Sequence, residues 1–203
     1  PSTNSVPKLT LQECIIENIF DAGILSINSS VYARNSLILN CGNNFVAVYG
    51  GNYQFDHCTV ASFSTSYLSH KNPVLIVNDF VVDGSVSFTA PLDAVFNNCI
   101  FWGDDGMVKD EIIVLKEGND HSVRFNHCLY KTETDLPHAV FVNSIKNQNP
   151  LFEKIDINKR EFNLRLQPGS PAINAGANLG ISFDLDNLPR NLASPDIGCY
   201  ESQ

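Results

Sequence analysis

The stretch Trp102-Gly103-Asp104-Asp105-Gly106 concentrates groups able to act on a ligand. Lys109 and Asp110 follow it, and Lys131 joins it in the repeat register described below. A tryptophan face stacks on a sugar ring, and neighbouring carboxylates accept hydrogen bonds from hydroxyls or bind Ca²⁺. Trp102, Asp104, Asp105, Lys109 and Lys131 are therefore the candidate carbohydrate-contacting residues, with Asp104 and Asp105 a sparse Ca²⁺ pair. The competing reading is structural: Asp-Asp-Gly makes a turn and Trp102 closes a coil. Ca²⁺ takes six or more oxygens, and nothing else in the chain implies a cofactor.

Other chemistries have less to stand on. A Gly-x-Ser-x-Gly elbow, a P-loop and a His-Glu-x-x-His motif are all missing. His57, His70, His121, His127 and His138 lack ligand spacing. A two-carboxylate glycosidase stays open, because its residues need only meet in space. With 13 basic against 22 acidic residues the formal charge is −9, which argues against binding nucleic acid or an anionic membrane. No apolar run approaches the roughly 18 residues of a membrane span. Neither a charged n-region nor an h-region opens the sequence, so any targeting segment is expected to have been removed.

The elements that must carry these residues form a repeat. LTLQECIIEN, YARNSLILNC, YQFDHCTVAS, AVFNNCIFWG and VRFNHCLYKT share apolar, any, apolar, two polar, then Cys or Leu, any, apolar. The column after the polar pair reads Cys14, Leu37, Cys58, Cys99 and Cys128, at spacings of 23, 21, 41 and 29 residues. Before the pair stand Leu11, Arg34, Phe55, Phe96 and Phe125. Arg34 breaks that column, and a shift of one residue that places Ala33 inward repairs it. The polar pairs favour tight bends, since Asn and Asp tolerate left-handed backbone. His57 and His127 are read as bend residues facing solvent. A second strand follows each unit: GILSI, FVAVY, PVLIV, EIIVL and AVFV.

Register, bends and an inward column predict an all-β chain wound as a single-stranded right-handed parallel β-helix. One domain is expected over 1–203, with coils at 9–148, a possible inserted arm at 80–93, and a terminal coil and cap at 149–203. Cys in an inward column that accepts Leu acts as a small apolar filler, so the cysteines are read as a reduced, buried stack. The outward columns read Ile15, Ile38, Thr59, Ile100, Leu129 and Glu17, Asn40, Ala61, Trp102, Lys131. Neither stacks acids with bases.

From Asn149 the pattern changes. NPLF (149–152), FNLRLQPGSPAINAG (162–176), the Asp184 to Arg190 stretch and PDIGCYE (195–201) closely resemble the terminal segment of bacterial right-handed parallel β-helix proteins. These are the choice-of-anchor Q proteins common in Bacteroidetes, often described as pectate-lyase-like. NNCIFWG (97–103) is similar to a common coil of that family, whereas Cys199 stands where the family usually has Ala. The resemblance implies a pectate-lyase-like fold, a polysaccharide as partner, and a secreted, cell-surface or outer-membrane-associated location.

Physically the segment reads as the closing cap of the rod, with Asp184, Arg190, Asp196 and Tyr200 as structural cap residues. The other end has no such device. A preceding domain of a longer protein, or a second chain, is therefore expected to cover it. The function expected is a non-catalytic module, a scaffold or carbohydrate-contacting element of a larger bacterial surface protein. The alternative is a polysaccharide lyase or glycoside hydrolase acting on an extended glycan.

Overall fold

The computed structural model describes residues 6–66, 69–104 and 106–202. In chain order the strands are β1 (Leu9–Gln12), β2 (Ile15–Glu17), β3 (Ala22–Arg34), β4 (Leu37–Leu39), β5 (Asn43–Asp56), β6 (Thr59–Ser62), β7 (Leu75–Asn78), β8 (Phe80–Asp83) and β9 (Val86–Thr89). They continue as β10 (Leu92–Asn97), β11 (Ile100–Gly103), β12 (Ile112–Leu115), β13 (His121–Asn126), β14 (Leu129–Tyr130), β15 (Val140–Val142), β16 (Ile145–Lys146), β17 (Phe152–Asp156) and β18 (Glu161–Leu166). The described residues contain no helix.

Two parallel sheets hold the coils, an arrangement consistent with a β-solenoid. One has eight strands and folds at a corner into two panels. The first halves of β3 and β5 pair on with β7 and β12. Their second halves pair with β1 and β10, and the ladder continues to β13 and β15. The corner lies at Asn28, where φ is +40°, and at Tyr49 to Gly51. Gly50 is required there, because a Cβ would lie 2.4 Å from the Pro91 carbonyl oxygen. The other sheet runs β16-β14-β11-β6-β4-β2.

Between second panel and second sheet the chain turns at Glu13, Asn35, His57, Asn98, His127 and Asn143, all with φ between +44° and +54°. Left-handed backbone tolerates Asn well, and here it recurs once per coil. The N–H of each bend residue donates to the coil that follows: Glu13 to Arg34 O, Asn35 to Asp56 O, His57 to Asn97 O, Asn98 to Asn126 O. The first N–H of each strand of the second sheet donates backwards: Leu37 to Cys14 O, Thr59 to Ser36 O, Ile100 to Cys58 O, Leu129 to Cys99 O. Each bend thus locks its coil to both neighbours.

Leu11, Ala33, Phe55, Phe96, Phe125 and Phe141 form one inward column, so the one-residue shift at Arg34 is present. Phe96 and Phe125 stack at 4.8 Å, and Phe125 and Phe141 at 4.7 Å. The same shift corrects the next column. Leu37 pairs with Ile15 and faces outward, so Ser36 occupies the position of Cys14, Cys58, Cys99 and Cys128. Its hydroxyl is tied to the Arg34 carbonyl and accepts from Cys14 N–H, so the polar group is satisfied inside. All six cysteines are free, and only Cys14 is less than fully buried.

The segment from Pro150 onward lies along the outer face of the second sheet, not across the end of the stack. Phe152, Leu164, Leu166, Ala172, Ile197 and Tyr200 pack on Leu37, Leu39, Ala61, Ile100 and Leu129. Its hydrogen bonds climb the bend column: Asn35 to Phe183 O, Asn98 to Ala177 O, and His127 facing Ala175 O. His57 is therefore buried, not solvent-facing as expected. Burial, then the nearby Arg190 guanidinium, lowers its pKa to about 3. Arg190 reaches Glu201, Asn35 and Gly198 O from a buried position. Asp184 and Asp196 accept backbone N–H groups, and Tyr200 lies under Arg165. The expected arm is the antiparallel hairpin β8–β9.

Two outcomes follow. Under native conditions a thiol reagent should modify at most one residue per chain, Cys14, and all six after denaturation. Arg190→Ala leaves Glu201 buried without its cation, so urea unfolding should show a loss of about 3–5 kcal/mol.

Candidate functional site

Trp102 sits on β11 between Phe101, which points into the core, and Gly103. Alternation turns its indole outward, half-buried at the margin of the C-terminal segment. A depression opens on either side. One, of about 460 Å³, is lined by Phe63, Gly103, Asp104, Asn149, Phe152 and Gln167 among others. The second, of about 320 Å³, is lined by Lys109, Lys131, Glu133, Asn147 and Asn149. Lys131 Nζ lies 5.8 Å from the indole centroid and donates to the Asp104 carbonyl oxygen. Four predicted residues, Trp102, Asp104, Lys109 and Lys131, thus line this pair of depressions. Asp105 lies outside the described residues.

Beneath Asp104 is a cluster that the sequence reading missed. His70 Nδ1 is 3.2 Å from Asp104 Oδ1, and His70 Nε2 is 3.1 Å from Glu111 Oε2. His70 and Glu111 are both buried. The His70–Glu111 contact is at ion-pair distance but poorly aligned, so neither Glu111 oxygen has a directed hydrogen bond. Gly103 makes the room: a Cβ there would lie 1.9 Å from Glu111 Oε1. A glycine at the inward position of a strand was the one available signal for this cluster.

Burial works against charge on His70, but the facing carboxylates of Glu111 and then Asp104 outweigh it and raise its pKa. Burial raises the Glu111 pKa, with His70 opposing. Asp104 is pushed up by burial too. Ser64 N–H at 2.6 Å, His70 and Gly106 N–H more than offset this and hold it below the usual range. Asp110 is lowered chiefly by the Thr134 N–H, with Thr132 and Glu133 helping.

The arrangement binds and orients better than it transfers protons. Both ring nitrogens of His70 face carboxylates, so no lone pair faces a substrate. Both Asp104 oxygens and Asp110 Oδ1 accept backbone N–H groups, and Glu111 is buried. No group of three or more His, Cys, Asp or Glu among the described residues is placed to hold a metal ion. A second buried pair, His121 Nδ1 to Asp79 Oδ2 at 3.1 Å, also has its other ring nitrogen occupied, 3.1 Å from the His138 carbonyl oxygen.

Fold and site together define an all-β protein of stacked parallel strands, with one aromatic surface position flanked by two polar depressions. No protein-family model matches the chain, and neither does any curated protein or solved structure. No described helix is long and apolar enough to cross a membrane.

The buried cluster predicts a pH dependence. The raised pKa of His70 means its contribution to stability is full below the ordinary value of 6.5 and is lost as pH rises through the folded value. The raised Glu111 pKa has the same sign. His57 acts oppositely: its contribution is full above 6.5 and fades as pH falls toward 3. Urea unfolding from pH 5 to 9 should show declining stability on the alkaline side. His70→Gln should destabilise by about 3–5 kcal/mol at neutral pH, since Glu111 stays buried without a cation.

Proposed function

We propose that the chain is a right-handed parallel β-helix module, secreted or displayed at a bacterial surface, that contacts carbohydrate without turning it over. The observation that carries this reading is the half-buried Trp102 between two depressions lined by amide, carboxylate and ammonium groups. A sugar ring offers an apolar face to an indole and hydroxyls to surrounding polar groups, and this surface has both in reach. His70 faces carboxylates through both ring nitrogens, both Asp104 oxygens accept backbone N–H groups, and Glu111 is buried, which favours binding over catalysis. The motifs at 149–201 support the bacterial surface setting.

The test is a panel of soluble neutral and acidic polysaccharides, with and without Ca²⁺. Binding is read by titration, and turnover by reducing ends and by absorbance of unsaturated products. Wild-type chain should bind at least one glycan with no product. Trp102→Ala should weaken that binding by about tenfold, equivalent to the ~1.4 kcal/mol scale of an aromatic contact. Product formation abolished by Lys131→Ala would replace the binding reading with a lyase or hydrolase.

A further inference from the structure

The buried pair of His121 and Asp79 takes no part in the Trp102 surface. Asp79 is fully enclosed where β7 ends, and three groups converge on its carboxylate. Oδ1 accepts the Glu117 N–H at 2.8 Å. Oδ2 accepts the Gly118 N–H at 3.1 Å and lies 3.1 Å from His121 Nδ1. His121 opens β13 in step with the inward Val123 and Phe125, and its Nε2 reaches the His138 carbonyl oxygen. One buried carboxylate therefore fixes two separate stretches of chain, 116–118 directly and His138 through the imidazole.

Those two stretches wall a depression of about 300 Å³, with Lys116 on one side, His138 on the other, and the outward Ser122 and Arg124 of β13 between them. No Asp or Glu lines it among the described residues, although the chain has 22 acidic residues and 13 Lys and Arg. The carboxylates close by in sequence or space are engaged elsewhere. Asp79 is buried behind His121, and Glu117 accepts from the Ser87 hydroxyl of the β8–β9 hairpin. Asp93 lines the depression on the opposite side and makes one 3.5 Å contact with Arg124. Both partners of that contact are half-exposed, so it holds the guanidinium only weakly. The Lys116 ammonium and the His138 ring have no hydrogen-bond or ion-pair partner among the described residues.

We infer that this depression is a site for a tetrahedral oxyanion, the phosphate or sulfate group of a small ester or of the free ion. An ammonium, a guanidinium, a hydroxyl and an imidazole come from three segments of chain. That set matches an acceptor with oxygens on several sides better than the two coplanar oxygens of a carboxylate. Fixing the walls through Asp79 lowers the ordering cost of binding. The volume is at the lower end of ligand-sized clefts, which leaves room for a small organic part beside the anion. The site shares no lining residue with the Trp102 depressions and does not rest on the carbohydrate reading.

The test is a titration of the whole chain with inorganic phosphate, inorganic sulfate, glucose 6-phosphate, glucose 6-sulfate and acetate at constant ionic strength, read by amide chemical shifts. Saturable shifts should localise to Lys116, Ser122, Arg124 and His138. Lys116→Gln and Arg124→Gln should each weaken binding about tenfold, the scale of one lost charge-assisted hydrogen bond. Both side chains are exposed, so the thermal unfolding midpoint should stay unchanged, which separates loss of contact from loss of fold. Tighter binding of the two esters assigns the site to an esterified ligand, and equal affinity assigns it to the free ion; both uphold the inference. Acetate bound as tightly as phosphate and sulfate overturns the tetrahedral assignment. Absence of a saturable shift, or shifts that survive both substitutions, overturns the site itself.

Discussion

The left-handed bend residue at the end of every second-panel strand is the constraint on which the molecule rests. It turns the chain sharply while its own N–H reaches the coil ahead and the following strand reaches the coil behind. Because the bend has the same length in each coil, side chains before and after it fall into columns. The phenylalanine stack and the thiol stack follow from that invariance. Where the motif is written differently, as at Asn35-Ser36, the bend geometry prevails, and hydroxyl chemistry accommodates the substituted column.

The second consequence is an uneven exterior. A bend of fixed length makes the parity of each strand fixed too, so a hydrophobic residue one place past the thiol column must face out. Leu37, Ile100 and Leu129 do so, and an entire segment of about fifty residues is shaped to shelter them. That shelter is held at its centre by a buried guanidinium between Glu201 and Asn35, an arrangement in which removing one partner leaves the other stranded. The C-terminal segment is therefore part of the stack's core as much as its surface.

Much of this was legible in the sequence. The repeat, the bends and the β8–β9 arm follow from residue types at fixed intervals, and the correct register at Ala33 was visible from the break at Arg34. The placement of the terminal segment was not legible, because capping an end and covering a side both call for apolar residues with turns between them. Ile100 and Leu129 held the clue, as apolar residues in a column read as outward. At the candidate site Trp102, Asp104, Lys109 and Lys131 were found from their local grouping. His70 and Glu111 were not, since they come from separate loops and meet only through the gap that Gly103 leaves.

The column of thiols carries a consequence for how the chain is made. Once wound, Cys58 and Cys99 are packed in the interior, where burial drives their pKa far up and suppresses the reactive thiolate, and Cys199 is raised to about 12. Before winding, all six sulfurs are open to one another, and six thiols can pair in 15 ways. None of those pairings matches the finished column, in which the sulfurs lean toward main-chain oxygens instead. In an oxidising compartment the chain is thus in a race: winding protects it from its own cysteines, and any delay exposes it to covalent tangles that the native packing has no place for.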